Sequence, residues 1–282
     1  MATDAVGEGK PVTVTGAALG GDDKDNYFLS AQPQTVTVTI TRATLTSAVN
    51  MSGYTYGDTP TTPTVTANPE NGTVTYYYSA VSSNQGGTPW TGSTKLNAGT
   101  YYLYAVIGET TNYASTTTAP VAFTVSPRPV TVSGIAAKDQ TYNGNTDASL
   151  VYTGVRFVGL VEGDTLSVTA SGVFADKNAG ENKTAKLTDL TLGGTSVDNY
   201  VLAENGQQST ATATIHKKVI SITDATVAEK VYDGETDAQH TGVSFADLIS
   251  GESLTPNTDY RITAANFNDA NVDKADRVTF TA

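Results

Sequence analysis

The chain repeats itself with a domain-sized period, and this limits its architecture more than any other feature. Tyr142-Asn143-Gly144, followed by Thr146-Asp147-Ala148, returns as Tyr232-Asp233-Gly234 followed by Thr236-Asp237-Ala238. Downstream, Thr153-Gly154-Val155 with Phe157 returns as Thr241-Gly242-Val243 with Phe245. Gly163 and Leu166 return as Gly251 and Leu254, and Phe174, Asp176 and Asn178 as Phe267, Asp269 and Asn271. The copies lie about 90 residues apart, which is the length of a small domain.

A second match runs toward the N-terminus. Leu192-Gly193-Gly194 and Asp198-Asn199-Tyr200 return as Leu19-Gly20-Gly21 and Asp25-Asn26-Tyr27, without gaps back to Gly180 and Lys183, which align with Gly7 and Lys10. The chain therefore reads as four segments. Residues 1–42 are the second half of a repeat, 43–128 a related but different Tyr-rich unit, 129–217 a complete repeat, and 218–282 the first half of another. Val36 to Ile40, Val121 to Val125 and Thr210 to Ile215 each close a segment, and a basic residue (Arg42, Arg128, Lys217) follows each. The next segment begins almost at once, so the linkers are short and a semi-rigid, elongated array is expected.

Each segment reads as strand. Thr35 to Ile40 alternates Thr with Val or Ile, the pattern of a strand with one buried face. Thr73 to Tyr78 and Thr100 to Val106 are Tyr-rich strands, and Asn71-Gly72 predicts a type I′ hairpin turn before the next run. Thr, Val, Ala, Gly and Tyr dominate, and helix-forming runs of Leu, Glu, Lys and Arg are missing. Short strands broken by Gly, Asn, Asp and Pro every ~8–12 residues point to all-β sandwiches in tandem, with 282 residues enough for two to three domains. In the complete repeat the expected core is Tyr142, Val155, Phe157, Leu160, Leu166, Phe174, Leu192, Tyr200 and Leu202.

Composition excludes several classes of function. Cysteine is absent, so neither a disulfide framework nor a thiolate metal site exists. The formal net charge is −12 with no Lys/Arg cluster, which opposes nucleic-acid and anionic-lipid binding. No stretch approaches the ~20 apolar residues of a membrane helix. The start at Met1 is polar and Gly-rich, so an export signal and an anchor are expected outside this stretch.

The Tyr-Asp-Gly start, Phe174-Ala175-Asp176-Lys177-Asn178 and Asp198-Asn199-Tyr200 together resemble the YDG-type repeats of large bacterial surface proteins. Segment 43–128 is similar to the MBG domain of the Tyr-Gly type, through Tyr56-Gly57-Asp58, Gly99-Thr100-Tyr101 and Val121-Ala122-Phe123-Thr124-Val125. The resemblance implies immunoglobulin-like folds in extracellular, adhesin-like cell-surface proteins. It implies no known ligand and brings no catalytic residue.

Sites with chemistry are sparse. His216 and His240 lie in different repeats, too few for a Ser-His-Asp triad or a His-rich metal site. Asp269, Asn271, Asp273 and Asp276 offer hard oxygen ligands for calcium, as do Asp22, Asp23 and Asp25, but EF-hand spacing is absent and lysines interrupt both runs. Solvated turns are the alternative. Trp90 sits in a Gly/Thr/Ser-rich loop, and Tyr76, Tyr77 and Tyr78 must alternate between faces, as must Tyr101 and Tyr102. Trp90, Tyr76, Tyr78 and Tyr102 are thus candidates for stacking on a sugar ring, against the alternative of a core tryptophan and cross-strand tyrosine pairs. Gly86-Gly87 and Gly193-Gly194 read as turns, since no helix or Lys follows to make a phosphate loop. Lys177, Lys183 and Asn199 supply the residue types of a covalent Lys–Asn tie without being placed together by the sequence.

The chain is therefore read as a stalk or spacer in adhesion, not an enzyme, with no catalytic residues and no cofactor. A module binding a host or matrix glycan or protein through 43–128 is the second reading, and an accessory segment of a large surface enzyme the third. The half-repeats at 1–42 and 218–282 are expected to complete each other between molecules, unless each folds as a small sheet of its own.

Overall fold

A computed structural model describes residues 6–31 and 35–281. Strands dominate the secondary structure. Among the described residues, the helical elements are three-residue 3-10 turns at Lys24–Asn26, Pro69–Asn71 and Val197–Asn199. The chain divides into two compact units. One comprises the described residues of Met1–Thr131 with Phe157–Ser167 and Leu192–Asn205; the other comprises those of Val132–Arg156, Val168–Thr191 and Gly206–Ala282.

In the first unit the largest sheet follows the order Tyr54–Thr55, Val121–Ser126, Gly99–Ile107, Val74–Ser79, Thr88–Pro89, with Thr116–Thr117 added on Gly99–Ile107. A ribbon of Val49–Asn50 and Thr64–Val65 covers one face. Alternation along these strands sends Leu103, Ala105, Phe123 and Val125 into one core with Val49, Leu96 and Trp90. The Trp90 ring meets Phe123 edge-on at 5.8 Å between centroids and Tyr78 at 6.0 Å. The same unit holds a ladder of Gly7–Val12 with Val36–Ile40.

The second unit contains most of a sheet ordered Gln140–Thr141, Thr210–His216, Gly180–Gly193, Ser167–Phe174. Phe174, Ala185, Ala213 and Ile215 form its core, with Tyr142 packed against them. Two further ladders follow, Ser221–Val227 with His240–Ala246 and Ala264–Phe267 with Val278–Thr281.

Several aligned residues make the same bonds where they recur. The Gly180–Gly193/Thr210–His216 ladder carries a bulge between Gly180 and Lys183, and the Gly7–Val12/Val36–Ile40 ladder carries one between Gly7 and Lys10. Phe174 N–H donates to Thr146 O at 2.8 Å, as Phe267 N–H does to Thr236 O at 2.7 Å. Asn178 N–H donates to Asp176 Oδ1 at 2.8 Å, as Asn271 N–H does to Asp269 Oδ1 at 2.9 Å. Segment 1–42 therefore forms a ladder of its own, apart from residues 1–5 and 32–34, which lie outside the described residues.

Three sequence expectations are corrected. Strand Val36–Ile40 has no buried face: it lies in a two-stranded ladder, with Val36 56% and Val38 46% exposed. Asn71-Gly72 is not a hairpin turn: positive φ falls one place earlier, at Glu70 and Asn71, and the strands on either side join different sheets. Gly72 is needed for space, since a Cβ there would lie 2.8 Å from the Gly108 carbonyl oxygen. In the expected core, Phe174 and Tyr200 are buried and Tyr142, Val155, Phe157, Leu166, Leu192 and Leu202 half-buried. Leu160 is 36% exposed, because Gly159, at φ +98°, turns the chain out of strand Arg156–Val158 just before it.

Candidate functional site

The Tyr-Gly motif of segment 43–128 is placed by the strand before it. Tyr54–Thr55 pairs in parallel with Val125 and Ser126 at the end of the closing strand, and Tyr56 N–H donates to Ser126 O at 2.9 Å. Asp58 N–H then returns to Thr55 O at 3.0 Å, with Gly57 at φ +80°. This is a turn whose third residue must tolerate positive φ, hence glycine. It lies beside the chain that leaves the closing strand. Arg128, on that chain, donates to Tyr56 O at 3.1 Å, to Asp58 Oδ1 at 2.6 Å and to Gly159 O at 2.9 Å.

The partner is a second turn, in segment 129–217. Asp164 N–H closes it on Val161 O at 3.1 Å, with Gly163 at φ +91°. The Tyr56 hydroxyl donates to Asp164 Oδ2 at 3.0 Å, and the Tyr200 hydroxyl donates to the same oxygen. Val161 N–H in turn donates to the Tyr200 hydroxyl at 3.0 Å, and the two tyrosine rings meet edge-on at 5.6 Å. Burial, and then the neighbouring Asp164 carboxylate, pushes Tyr200 up to about 12 and raises Tyr56 as well. Nearby, Asn199 is buried; its Oδ1 accepts from Ala98 N–H at 2.8 Å and its Nδ2 donates to Asn97 Oδ1 at 3.3 Å.

In the second unit the arrangement recurs one repeat later. Gln140–Thr141 pairs in parallel with Ile215 and His216, and Tyr142 N–H donates to His216 O at 2.8 Å. Glu252 N–H closes a turn on Ile249 O at 2.9 Å, with Gly251 at φ +84°. The Tyr142 hydroxyl donates to Glu252 Oε1. Lys177 Nζ is 2.5 Å from the same oxygen and 5.8 Å from the centre of the Tyr142 ring. Lys177, then Tyr142, lowers the Glu252 carboxyl, and Glu252 raises Lys177. A groove lined by Tyr142, Asn178, Lys218, Ile249, Glu252 and Leu254 borders this contact.

Glycine lets the two turns approach. A Cβ on Gly57 would lie 2.4 Å from Val161 Cγ2, and one on Gly144 would lie 2.8 Å from Ile249 Cγ2. Val161 and Ile249 align, as do Asp164 and Glu252. Each contact thus consists of a motif tyrosine on the acid of a branched-apolar–x–Gly–acid turn, with the motif glycine against the branched side chain. Chemically this is a clasp: a carboxylate saturated by phenol and ammonium donors, with no nucleophile beside a base.

The residues singled out in the sequence are distributed otherwise. Trp90 is 9% exposed in the core, and Tyr76 and Tyr78 pack against that core, so these three rings form no exposed row. Tyr102 is half-buried on the opposite face from Leu103. Tyr77 stacks on Tyr104 at 5.3 Å, the cross-strand pair weighed against sugar stacking. Asp269 Oδ1 is taken by Asn271, and Asp276 Oδ1 by the Asn268 amide at 2.8 Å. Asp273 is exposed on the same loop. Among the described residues no group of three or more His, Cys, Asp or Glu is placed to hold a metal. Lys183 bonds Asp176 at 2.5 Å and Lys177 bonds Glu252, while Asn199 is engaged by Ala98 and Asn97. His216 is exposed and His240 half-buried.

The clasp was not anticipated from the sequence, although its parts recur there. Tyr-x-Gly and Gly163/Leu166 were both visible as repeated features, but nothing in the order of residues says that one receives the other. The YDG domain matches residues 126–211 and 216–282, more than half of the chain. No curated protein and no solved structure matches it.

Proposed function

Because the chain belongs to the YDG domain family, we propose that it is a non-catalytic spacer in a bacterial cell-surface protein, outside the cell and acting in adhesion. In this reading its segments are immunoglobulin-like sandwiches in an elongated array, with 43–128 as an MBG-like member. One observation carries the proposal. The motif tyrosine ends the parallel strand beside a segment's closing strand, and the acidic turn of the following segment holds it, at Tyr56–Asp164 and again at Tyr142–Glu252. A spacer needs joints that resist bending, and short linkers alone leave domains free to swing. Repetition of the clasp supports a joint built into the repeat. A ligand site would instead leave its polar groups unsatisfied and convergent.

Small-angle scattering of the intact chain tests this. A spacer gives a radius of gyration well above the roughly 19 Å of a compact chain of this length. It also gives a narrow distance distribution that broadens when Tyr56→Phe and Tyr142→Phe are combined. A compact value, or a distribution unmoved by the double substitution, overturns the proposal.

A further inference from the structure

Two of the motif turns place a side chain where it can react with its own backbone. Asn143 Oδ1 accepts from Asn145 N–H at 3.1 Å, as Asp233 Oδ1 does from Glu235 N–H at 3.0 Å. Such an Asx-turn folds the side chain forward over the residue that follows it. At the first turn that residue is Gly144, at φ +82° and without a Cβ to shield its amide nitrogen. Asn143 is exposed, and among the described residues no hydrogen bond engages its Nδ2 or the Gly144 N–H. Earlier in the same copy, Gln140 Nε2 is buried without a hydrogen-bond partner. Its aligned residue, Lys230, lies 3.0 Å from the Asp233 carboxylate.

We propose that Asn143-Gly144 is a self-modifying site: Asn143 deamidates in the folded chain, turning the Tyr-Asn-Gly copy into Tyr-Asp-Gly or its isoaspartyl form. The Gly144 nitrogen attacks Asn143 Cγ, and its proton passes to hydroxide. Asn145 N–H, already on Oδ1, donates to the oxyanion of the tetrahedral intermediate. Holding Cγ over the following backbone supplies a proximity that a mobile loop lacks. The Cγ–Nδ2 bond then breaks, Nδ2 takes a proton from water and leaves as ammonia, and a succinimide ring remains. Water opens the ring, and nothing is oxidised or reduced. Cleavage of its Cγ–N bond leaves aspartate; cleavage at the main-chain carbonyl leaves isoaspartate, with the chain running through Cγ. Aspartate keeps the backbone as it is and offers Gln140 the carboxylate that Lys230 has in the other copy. Isoaspartate adds one methylene to the main chain between Tyr142, bonded to Glu252, and Gly144, beside Ile249. Asn71-Gly72 and Asn205-Gly206 share the dipeptide, but neither side chain makes the Asx-turn bond among the described residues. Asp233-Gly234 shares the turn, but an ionised carboxylate is a poor electrophile.

The test incubates the intact chain in mildly acidic and mildly alkaline buffer, native and in urea. Peptide mass spectrometry follows each asparagine, with fragmentation that separates aspartate from isoaspartate. In the native chain Asn143 should convert at least tenfold faster than Asn71 and ahead of Asn205, and faster in the alkaline buffer. In urea, which removes the Asx-turn, the three rates should converge. Conversion of Asn71 or Asn205 before Asn143 in the native chain overturns the inference, as does a ratio of Asn143 to Asn71 rates that urea leaves unchanged. Asn143→Asp should raise the urea midpoint, and the gain should vanish when it is combined with Gln140→Leu. An unchanged or lowered midpoint overturns the role given to Gln140.

Discussion

The Tyr56 hydroxyl donates to the Asp164 carboxylate at 3.0 Å, across 108 positions of sequence, and the Tyr142–Glu252 bond spans 110. The two bonds have near-equal spans, join a tyrosine to the acid of a glycine-containing turn, and lie one in each compact unit.

Removing the first bond should cost measurable stability. A hydrogen bond to a charged group contributes about 1.5–3 kcal/mol. Tyr56→Phe should cost toward the lower end, because Tyr56 is only half-buried. Asp164→Asn should cost more, since it also weakens the bond from buried Tyr200. In urea unfolding, the double variant should lose less than the sum of the two singles. Additive losses would mean that the pair does not interact.

The three motif glycines separate a backbone effect from a contact effect. Alanine at positive φ costs roughly 1–2 kcal/mol at any of them. At Gly57 and Gly144 the clash with Val161 or Ile249 adds overpacking of about 1–3 kcal/mol. Gly57→Ala and Gly144→Ala should therefore destabilise clearly more than Gly234→Ala. Equal losses in thermal unfolding would remove the close approach from the account.

The joints should also respond to pH in opposite directions. Tyr200 is held neutral in the fold, with its pKa raised from 10.0 to about 12. Its contribution is therefore present below pH 10 and is lost as pH climbs from about 10 through 12. Glu252 is lowered, chiefly by Lys177, so its contribution is present above the ordinary glutamate value of 4.5 and is lost as pH falls below it. Tyr200→Phe should remove the highest-pH tyrosine from an ultraviolet titration. Glu252→Gln should flatten the acid limb of stability; an unchanged limb would show that Glu252 is not coupled to folding.

Core and surface aromatics should part company under truncation. Phe174 and Trp90 are buried, and cutting either to alanine should cost about 3–5 kcal/mol. Phe157 is only half-buried and should cost less. A Trp90→Ala chain as stable as the parent would return that ring to the list of binding candidates.

Chelation should leave the melting temperature unchanged. The Asp269 and Asp276 carboxylates in the proposed calcium loop already accept from Asn271 and Asn268. A large fall in Tm on adding chelator would show a cation bound in the native state.

Strand identity was decided locally, and the sequence alone carries it. Thr-Val alternation in Val36–Ile40 and Thr210–His216 sends every second side chain to one face whatever lies around it. Repetition was equally plain, because residues that match in sequence, such as Gly7 with Gly180 and Lys10 with Lys183, make the same bulge. The side to which an aromatic residue turns was not local. Trp90 in its loop and Tyr76 on its strand have the composition of a sugar platform, and only packing of Phe123, Leu103 and Val49 around them makes them core. The joints lay furthest from the sequence. Tyr56 and Asp164 are each polar turn residues, suited to solvent by type. They meet only because the closing strand fixes where one segment ends and a glycine without a Cβ leaves room for the next segment's valine.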